Sequence, residues 1–245
     1  EPFVGLRNYV EQLTSGDFWS ATGRALFFTV TSTILELSLG LGLALLMDQP
    51  LRFRWLLRSI VILPWALPTI VNALMWRWID NAEYGALNAL LTQTGVLHEY
   101  QPWLSNSDLA MWMVVLADVW KMTPFVAILL LAALQSVDRE LIQVAMVDGA
   151  SSRQAFRLIL LPLITPVIMI VLILRTMEAF KVFDIVWIMT GGGPANATQT
   201  VAIYAYQTAY QGFDFGRGAA LGYIIAVVIM ALAAIYLRLL GRTGR

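Results

Sequence analysis

Seven ionisable residues, Glu36, Asp118, Lys121, Arg175, Glu178, Lys181 and Asp184, fall inside long apolar runs of this sequence. A charge at bilayer depth is costly, so such residues face a bundle interior or a wet cavity. Their spacing offers a second account. Asp118 with Lys121, and Arg175, Glu178, Lys181 and Asp184 in series, stand at i, i+3 with alternating sign, so each is able to neutralise a neighbour on one helix face. Both readings stand: at least two of these groups line a solute path, or they are structural pairs. Five residues near mid-span, Asn72, Trp76, Trp120, Arg175 and Glu178, have the chemistry a hydroxyl-rich solute needs. They offer hydrogen-bond partners and indole faces inside a low-dielectric cavity, where an unpaired polar group costs about 1 to 3 kcal/mol. Trp120 lies beside Asp118 and Lys121 in sequence, and its indole N–H needs a partner. Trp19, Trp76, Trp78, Trp103 and Trp112 also read as a belt at one membrane interface.

Covalent chemistry finds little support. The chain has no Cys, which excludes disulfides and thiol catalysis, and its one His, His98, stands alone in a connecting segment, so no metal site is expected. A phosphate loop needs Gly-Lys-Ser/Thr, yet Lys121 follows Trp120 and Lys181 follows Phe180. The chain therefore cannot bind ATP by that route, and no catalytic residue is expected. Net charge is +0, which gives no field for nucleic acid.

A second constellation lies at 138–159, a charged insert between two apolar runs that must sit in water at a membrane face. Asp138 is placed to cap a short helix running to about Val147, Gly149 suits the left-handed residue that ends it, and Ser151-x-x-Gln154 offers a capping box for a second helix. Leu141, Val144, Ala145 and Asp148 then share one face. An amphipathic connector resting on lipid headgroups is the plainer account.

The elements that must carry these residues are membrane spans. Hydrophobic residues make up 59% and charged residues 13%, with a mean hydropathy of +0.71; soluble domains run near 45 to 50% apolar and about a quarter charged. Runs of ~20 apolar residues match ~30 Å of hydrocarbon, and five are present, at 25–47, 59–79, 109–134, 162–189 and 218–240. An all-α membrane protein follows, because a helix satisfies its own backbone where water cannot. Pro64 and Pro68 predict a kink near Trp65, with freed carbonyls that need partners from adjacent helices. Arg52, Arg54 and Arg58, then Arg139, Arg153 and Arg157, then Arg238, Arg242 and Arg245 fill three connecting or terminal segments, whereas 80–108 has no Lys or Arg. The positive-inside rule places those three segments in the cytoplasm, and 1–24, 80–108 and 190–217 outside. The boundaries are thus an extracytoplasmic segment 1–24, a transmembrane domain 25–240 and a cytoplasmic tail 241–245. Residues 84–96 suit a short surface helix, and Gly191-Gly192-Gly193-Pro194 a turn. The chain begins at Glu1 without Met, which leads us to expect a preceding span and six spans in the full protein.

Val144-Ala145-Met146-Val147-Asp148-Gly149-Ala150, then Phe156 and Leu161-Pro162, closely resemble the cytoplasmic coupling loop of permease subunits in bacterial ATP-binding-cassette importers. The family pattern runs Glu-Ala-Ala-x-x-Asp-Gly-Ala, and this chain departs from it with Gln143 for Glu and Val144 for Ala. The resemblance extends to Phe3-x-Gly5-Leu6-x-Asn8-Tyr9, Pro64 to Pro68, Tyr84-Gly85-x-Leu87-Asn88, Trp120-Lys121-x-Thr123-Pro124-Phe125, and Thr190-Gly191-Gly192-Gly193-Pro194 with Thr200. These are similar to carbohydrate permeases of the maltose and glycerol-phosphate class, first-type subunit. Arg175-Thr176-x-x-Ala179-Phe180-x-x-Phe183-Asp184 looks most like trehalose or maltose transporters.

The resemblance implies a type I importer transmembrane domain in a bacterial or archaeal cytoplasmic membrane. It implies a second homologous permease subunit, two ATPase subunits that hold ATP and Mg, an extracellular sugar-binding lipoprotein, and a sugar as solute. No cofactor is implied in this chain. Leu141, Gln143, Val144, Ala145, Asp148, Gly149, Ala150 and Phe156 would then contact the ATPase, with Gln143 lacking the carboxylate that a salt bridge at that position needs. An ion-coupled secondary transporter is the alternative, with Glu36, Asp118 and Glu178 as proton or sodium sites. It would show inverted repeats or discontinuous helices, which the sequence does not, and it leaves the insert unexplained. A structural subunit without transport is a third possibility.

Overall fold

The computed structural model describes residues 4–50 and 52–243, with side chains to Arg238. Glu1, Phe3 of the first motif, and Gly244 and Arg245 of the tail lie outside the described residues, as do the side chains of 239–243. The elements in order are α1 (Arg7–Thr14), α2 (Gly16–Asp48), α3 (Arg54–Ala66), α4 (Thr69–Ile79), α5 (Ala86–Gln93), α6 (Ala110–Ser136), α7 (Arg139–Val147), α8 (Ser152–Ala155), α9 (Leu161–Phe180), α10 (Asp184–Met189), α11 (Val201–Tyr206) and α12 (Phe215–Thr243). Single π-turns at Phe156–Leu160 and Gln207–Gln211 continue α8 and α11.

Among the described residues, four helices are long and apolar enough to cross a membrane, and a fifth crossing exists if the bent pair α3–α4 is one span. The bend between them is 93°. It falls at Leu67-Pro68 rather than at Trp65. Leu67 is extended (φ −72°, ψ 137°) because the residue before a proline is pushed out of the helical region, whereas Pro64 sits inside α3 and only deletes a bond. The discontinuous helix not foreseen in the sequence is therefore present.

The fourth span also differs from expectation. It begins at Ser152, because the second short helix of the insert runs through the π-turn straight into α9, and it ends at Phe180 instead of 189. The chain breaks at Lys181–Phe183 without any Pro or Gly. The Thr200 hydroxyl donates to the Val182 carbonyl at 3.1 Å, so a distant hydroxyl takes up a backbone group that the break frees.

The core forms where α2 lies against α6. A Cβ on Gly40 would stand 2.6 Å from Val126 Cγ1, so glycine is what permits this approach. One part of the core gathers Phe28, Val114 and Ile185, a second gathers Ala44, Val126, Leu130 and Ile164, and a third gathers Phe18, Phe180 and Leu221. The segment 1–24 is not separate from the bundle, since α2 already begins at Gly16. Arg217 meets Glu11 at 2.7 Å and the Tyr204 hydroxyl donates to Gln12 at 3.1 Å, which places α1 at the same end of the molecule as the 190–217 segment. Arg7 and Arg217 beside Glu11 hold its carboxyl below the usual range. At the opposite end, Arg139 meets Asp48 at 3.2 Å and ties the 138–159 insert to the foot of α2.

Candidate functional site

One carboxylate each from α2, α6 and α9 converges on the guanidinium of Arg175. Arg175 Nε and Nη2 donate to the two oxygens of Glu36 at 2.5 and 2.8 Å, a paired fork contact that fixes orientation as well as charge. The same Nη2 donates to Asp118 at 3.1 Å, and Nη1 to Glu178 at 2.8 Å. Glu36, Asp118 and Arg175 are buried, but the Glu178 side chain remains 55% exposed. Of the i, i+3 pairs, Arg175 with Glu178 forms. Asp118 instead pairs across helices, and Lys121 Nζ donates at 3.4 Å to the Trp65 carbonyl, in the last turn of α3 where carbonyls lose their helical partners. A cation is also the favoured group at a helix C-terminus. Because α9 ends at Phe180, Lys181 and Asp184 leave its face and are exposed.

A cavity of about 350 Å³ opens beside this cluster, lined by Trp65, Thr69, Asp118, Lys121, Arg175, Glu178 and the Lys181–Ile185 corner. Its walls are the elbow of the broken second span and the break after α9, so two interruptions in apolar helices create one polar space. Irregular backbone at such depth is tolerated where it lines a cavity.

The other mid-span residues lie elsewhere. Trp76 and Trp120 meet edge to face at 6.1 Å and line a second cavity of about 460 Å³ with Leu39, Ile60, Pro64 and Pro124. Trp120 thus turns away from Asp118, as two residues on a helix must, since they do not share a face. Asn72 is buried and its Nδ2 donates to the Ala117 carbonyl at 3.3 Å, joining α4 to α6. The five residues therefore divide between a charged cavity, an apolar cavity and a helix contact. Sequence reasoning did not single out Trp65 and Thr69 as wall residues, although the Pro64/Pro68 doublet marked their elbow. Of the aromatic belt, Trp19, Trp78 and Trp112 are exposed, while the Trp103 indole donates to Asn88 at 2.8 Å.

The two short helices of the 138–159 insert are capped at their facing ends. The Asp138 carboxylate accepts from the Glu140 N–H at 2.9 Å. Gly149 has φ +89°, Ala150 N–H donates to the Ala145 carbonyl and Gly149 N–H to the Met146 carbonyl, which together make a Schellman end. Ser151 and Gln154 form the reciprocal capping box. Leu141, Gln143, Val144 and Asp148 are exposed, Ala145, Ala150 and Phe156 partly buried, and Val147 is 87% exposed. Helix α7 is capped at both ends, tethered to α2 through Arg139 and Asp48, and leaves Leu141, Val144, Met146 and Val147 uncovered.

At the far end of α4, Asp80 is 1% exposed and neither carboxyl oxygen meets a protein donor among the described residues. Burial pushes this carboxyl up to about 7. Arg77 nearby in sequence donates instead to the Ile188 carbonyl at 3.3 Å.

Among the described residues the chain is an all-helical bundle with apolar spans, an elbow in the second and a capped insert before the fourth. Residues 36–243 match the family described as binding-protein-dependent transport system inner membrane component, and the chain belongs to that family. It is 42% identical over 245 residues to a trehalose/maltose transport system permease protein of Thermococcus litoralis, covering all of this chain and 82% of that one. It is 36% identical over 241 residues to a trehalose transport system permease protein of Mycobacterium tuberculosis, covering 98% and 75%. A solved bacterial ABC transporter that imports the acidic polysaccharide alginate superposes with a TM-score of 0.90 at 23% identity, over all of this chain and 86% of that one, and shows the type I importer fold. The chain is a multi-pass membrane permease subunit of a sugar ABC importer and not an enzyme, since ATP hydrolysis resides in a separate subunit.

Proposed function

We propose that this chain forms half of a transmembrane pathway for a disaccharide such as trehalose or maltose, and that residues 138–159 couple it to the ATPase. The observation that carries the pathway reading is the charged cavity at the meeting of two broken spans, walled by groups able to hydrogen-bond a hydroxyl-rich solute. The permeases of similar sequence named for trehalose and maltose support the solute class. Glu178, the exposed member of the cluster, is the group we assign to the solute, with Arg175 as its fixed anchor. Asn72, Trp76 and Trp120 shape the neighbouring wall rather than the charged cavity itself.

A second homologous permease closes the pathway, two ATPase subunits receive Leu141, Gln143, Val144, Ala145, Asp148, Gly149, Ala150 and Phe156, and an extracellular binding lipoprotein delivers the sugar. ATP and Mg belong to the ATPase, and the assembly sits in a bacterial or archaeal cytoplasmic membrane. Coupling is linkage: ATP and the loaded binding protein must favour the same global state.

The test is uptake of labelled trehalose and maltose into proteoliposomes that hold the reconstituted complex and its binding protein. ATP-dependent uptake that falls in Glu178→Ala, with ATPase subunits retained, is the expected result. Uptake driven by a proton or sodium gradient without ATP would transfer the chain to the ion-coupled alternative.

A further inference from the structure

Beside the charged cavity runs a file of aromatic rings that the pathway as described does not use. Phe183 stacks on Trp187 at 5.8 Å with a 12° interplanar angle, and Tyr206 touches both, at 5.1 Å from Phe183 and 4.9 Å from Trp187. Tyr206 then meets Tyr210 at 5.1 Å, and Tyr210 meets Phe215 at 5.9 Å. The near end is partly buried; at the far end Tyr210 is 61% and Phe215 58% exposed. A groove of about 580 Å³ follows this file, with Phe183, Tyr206, Tyr210 and Phe215 on its walls and small residues such as Ala205 and Ala209 leaving it open. Phe183 lines both the groove and the charged cavity.

We propose that these rings form a sugar ramp leading from the outer face to the charged cavity. The proposal rests on the sugar-pathway reading above. A pyranose presents C–H faces that pack on an aromatic ring while its hydroxyls stay in water or reach phenol oxygens, so a ring with one apolar face and one wet edge suits it. Neighbouring rings closer together than the length of a disaccharide let the sugar engage the next ring before it leaves the last. Tyr206 ends α11 and Tyr210 sits in the π-turn Gln207–Gln211 that follows it, and local π-turns recur at functional sites. The groove floor is closely packed as well, since a Cβ on Gly218 would stand 2.5 Å from that of Ala209, which only glycine permits. A membrane aromatic belt would spread around the outside of the bundle. Phe183, Tyr206, Tyr210 and Phe215 instead line one groove, and Phe183 reaches the polar cavity.

The experiment uses the complete reconstituted importer, with labelled trehalose and maltose as probes and three readouts: uptake kcat/KM, ATP hydrolysis stimulated by loaded binding protein, and co-purification of the second permease. Tyr210→Ala with Phe215→Ala should lower kcat/KM for uptake by at least about tenfold, since each lost aromatic contact is worth up to about tenfold. Tyr210→Phe with Phe215→Tyr should restore it, and neither pair should alter stimulated hydrolysis or co-purification. Wild-type uptake in the double-alanine importer overturns the ramp and leaves the pathway reading intact. Loss of co-purification or of stimulated hydrolysis also overturns it, and assigns the rings to a protein contact. A wild-type importer that moves neither sugar overturns the pathway reading and the ramp with it.

Discussion

Arg175 holds three carboxylates, and the burial of two of them makes it a structural keystone whatever the solute does. Arg175→Met would leave the buried Glu36 and Asp118 carboxyls without the guanidinium that satisfies them, a loss of about 3 to 5 kcal/mol. Thermal melting of the detergent-solubilised subunit should show it as a lower Tm. Replacing the whole set, Arg175→Met with Glu36→Met and Asp118→Leu, should recover much of that stability, because an apolar cluster of similar volume needs no compensation. A triple variant that melts like Arg175→Met alone would reject the account. Asp80 gives the pH-dependent counterpart at the end of α4. Its folded carboxyl sits at about 7 against an ordinary 3.8, so the protonated form suits the fold. The stability this provides is whole below the ordinary carboxylate range and is lost as pH rises from about 4 through 7. Asp80→Asn, a neutral near-isostere, should therefore raise Tm at pH 8 and change it little at pH 4. Equal Tm shifts at both pH values would show that desolvation of the carboxylate is not the cause. The charges themselves were legible in the sequence as expensive groups in apolar runs. Their partners were not, since spacing reports only neighbours on one helix, and Glu36 lies 139 positions from Arg175.

Helix ends were the most legible elements, because a cap is a local bargain among residues a few positions apart. Asp138, Gly149 and the Ser151/Gln154 box all take the roles their types suggest. The elbow at Pro68 was visible as a kink, but neither its 93° angle nor the Lys121 of another helix that meets the Trp65 carbonyl beside it has a local mark. The break after Phe180 carried no local mark, because the hydroxyl that answers it belongs to Thr200. In the insert, Gly149 is the test of the element. Nothing lies within 4 Å of a Cβ built there, so any penalty comes from its left-handed backbone, about 1 to 2 kcal/mol for an ordinary L-residue. Gly149→Asn should be tolerated, since Asn visits that region, whereas Gly149→Val should deform the Schellman end. Co-purification of the ATPase together with vesicle transport is the measurement. Loss in the Val variant and retention in the Asn variant support a shaped coupling element, and equal retention would make the insert a passive connector.

At the scale of the molecule, two ends are distinguished by what gathers there. One end joins α1 to α12 through Glu11 and Arg217, and the other joins α7 to α2 through Arg139 and Asp48. The contacts show that segments 1–24 and 190–217 share an end, as alternating spans require, but the direction in the membrane comes from the arginines. Six of them, Arg52, Arg54, Arg58, Arg139, Arg153 and Arg157, lie in the two connections on the α7 side, and 80–108 has none. The absence of cysteine makes this directly measurable, because one introduced thiol is the only one in the chain. Ser107→Cys and Ser152→Cys are conservative changes at exposed positions on opposite sides of α6. An impermeant thiol reagent added to intact cells should label the first and spare the second, which should react only after the membrane is opened. The reversed pattern would place the capped insert outside, away from any ATP, and the coupling proposal would then have no partner to act on.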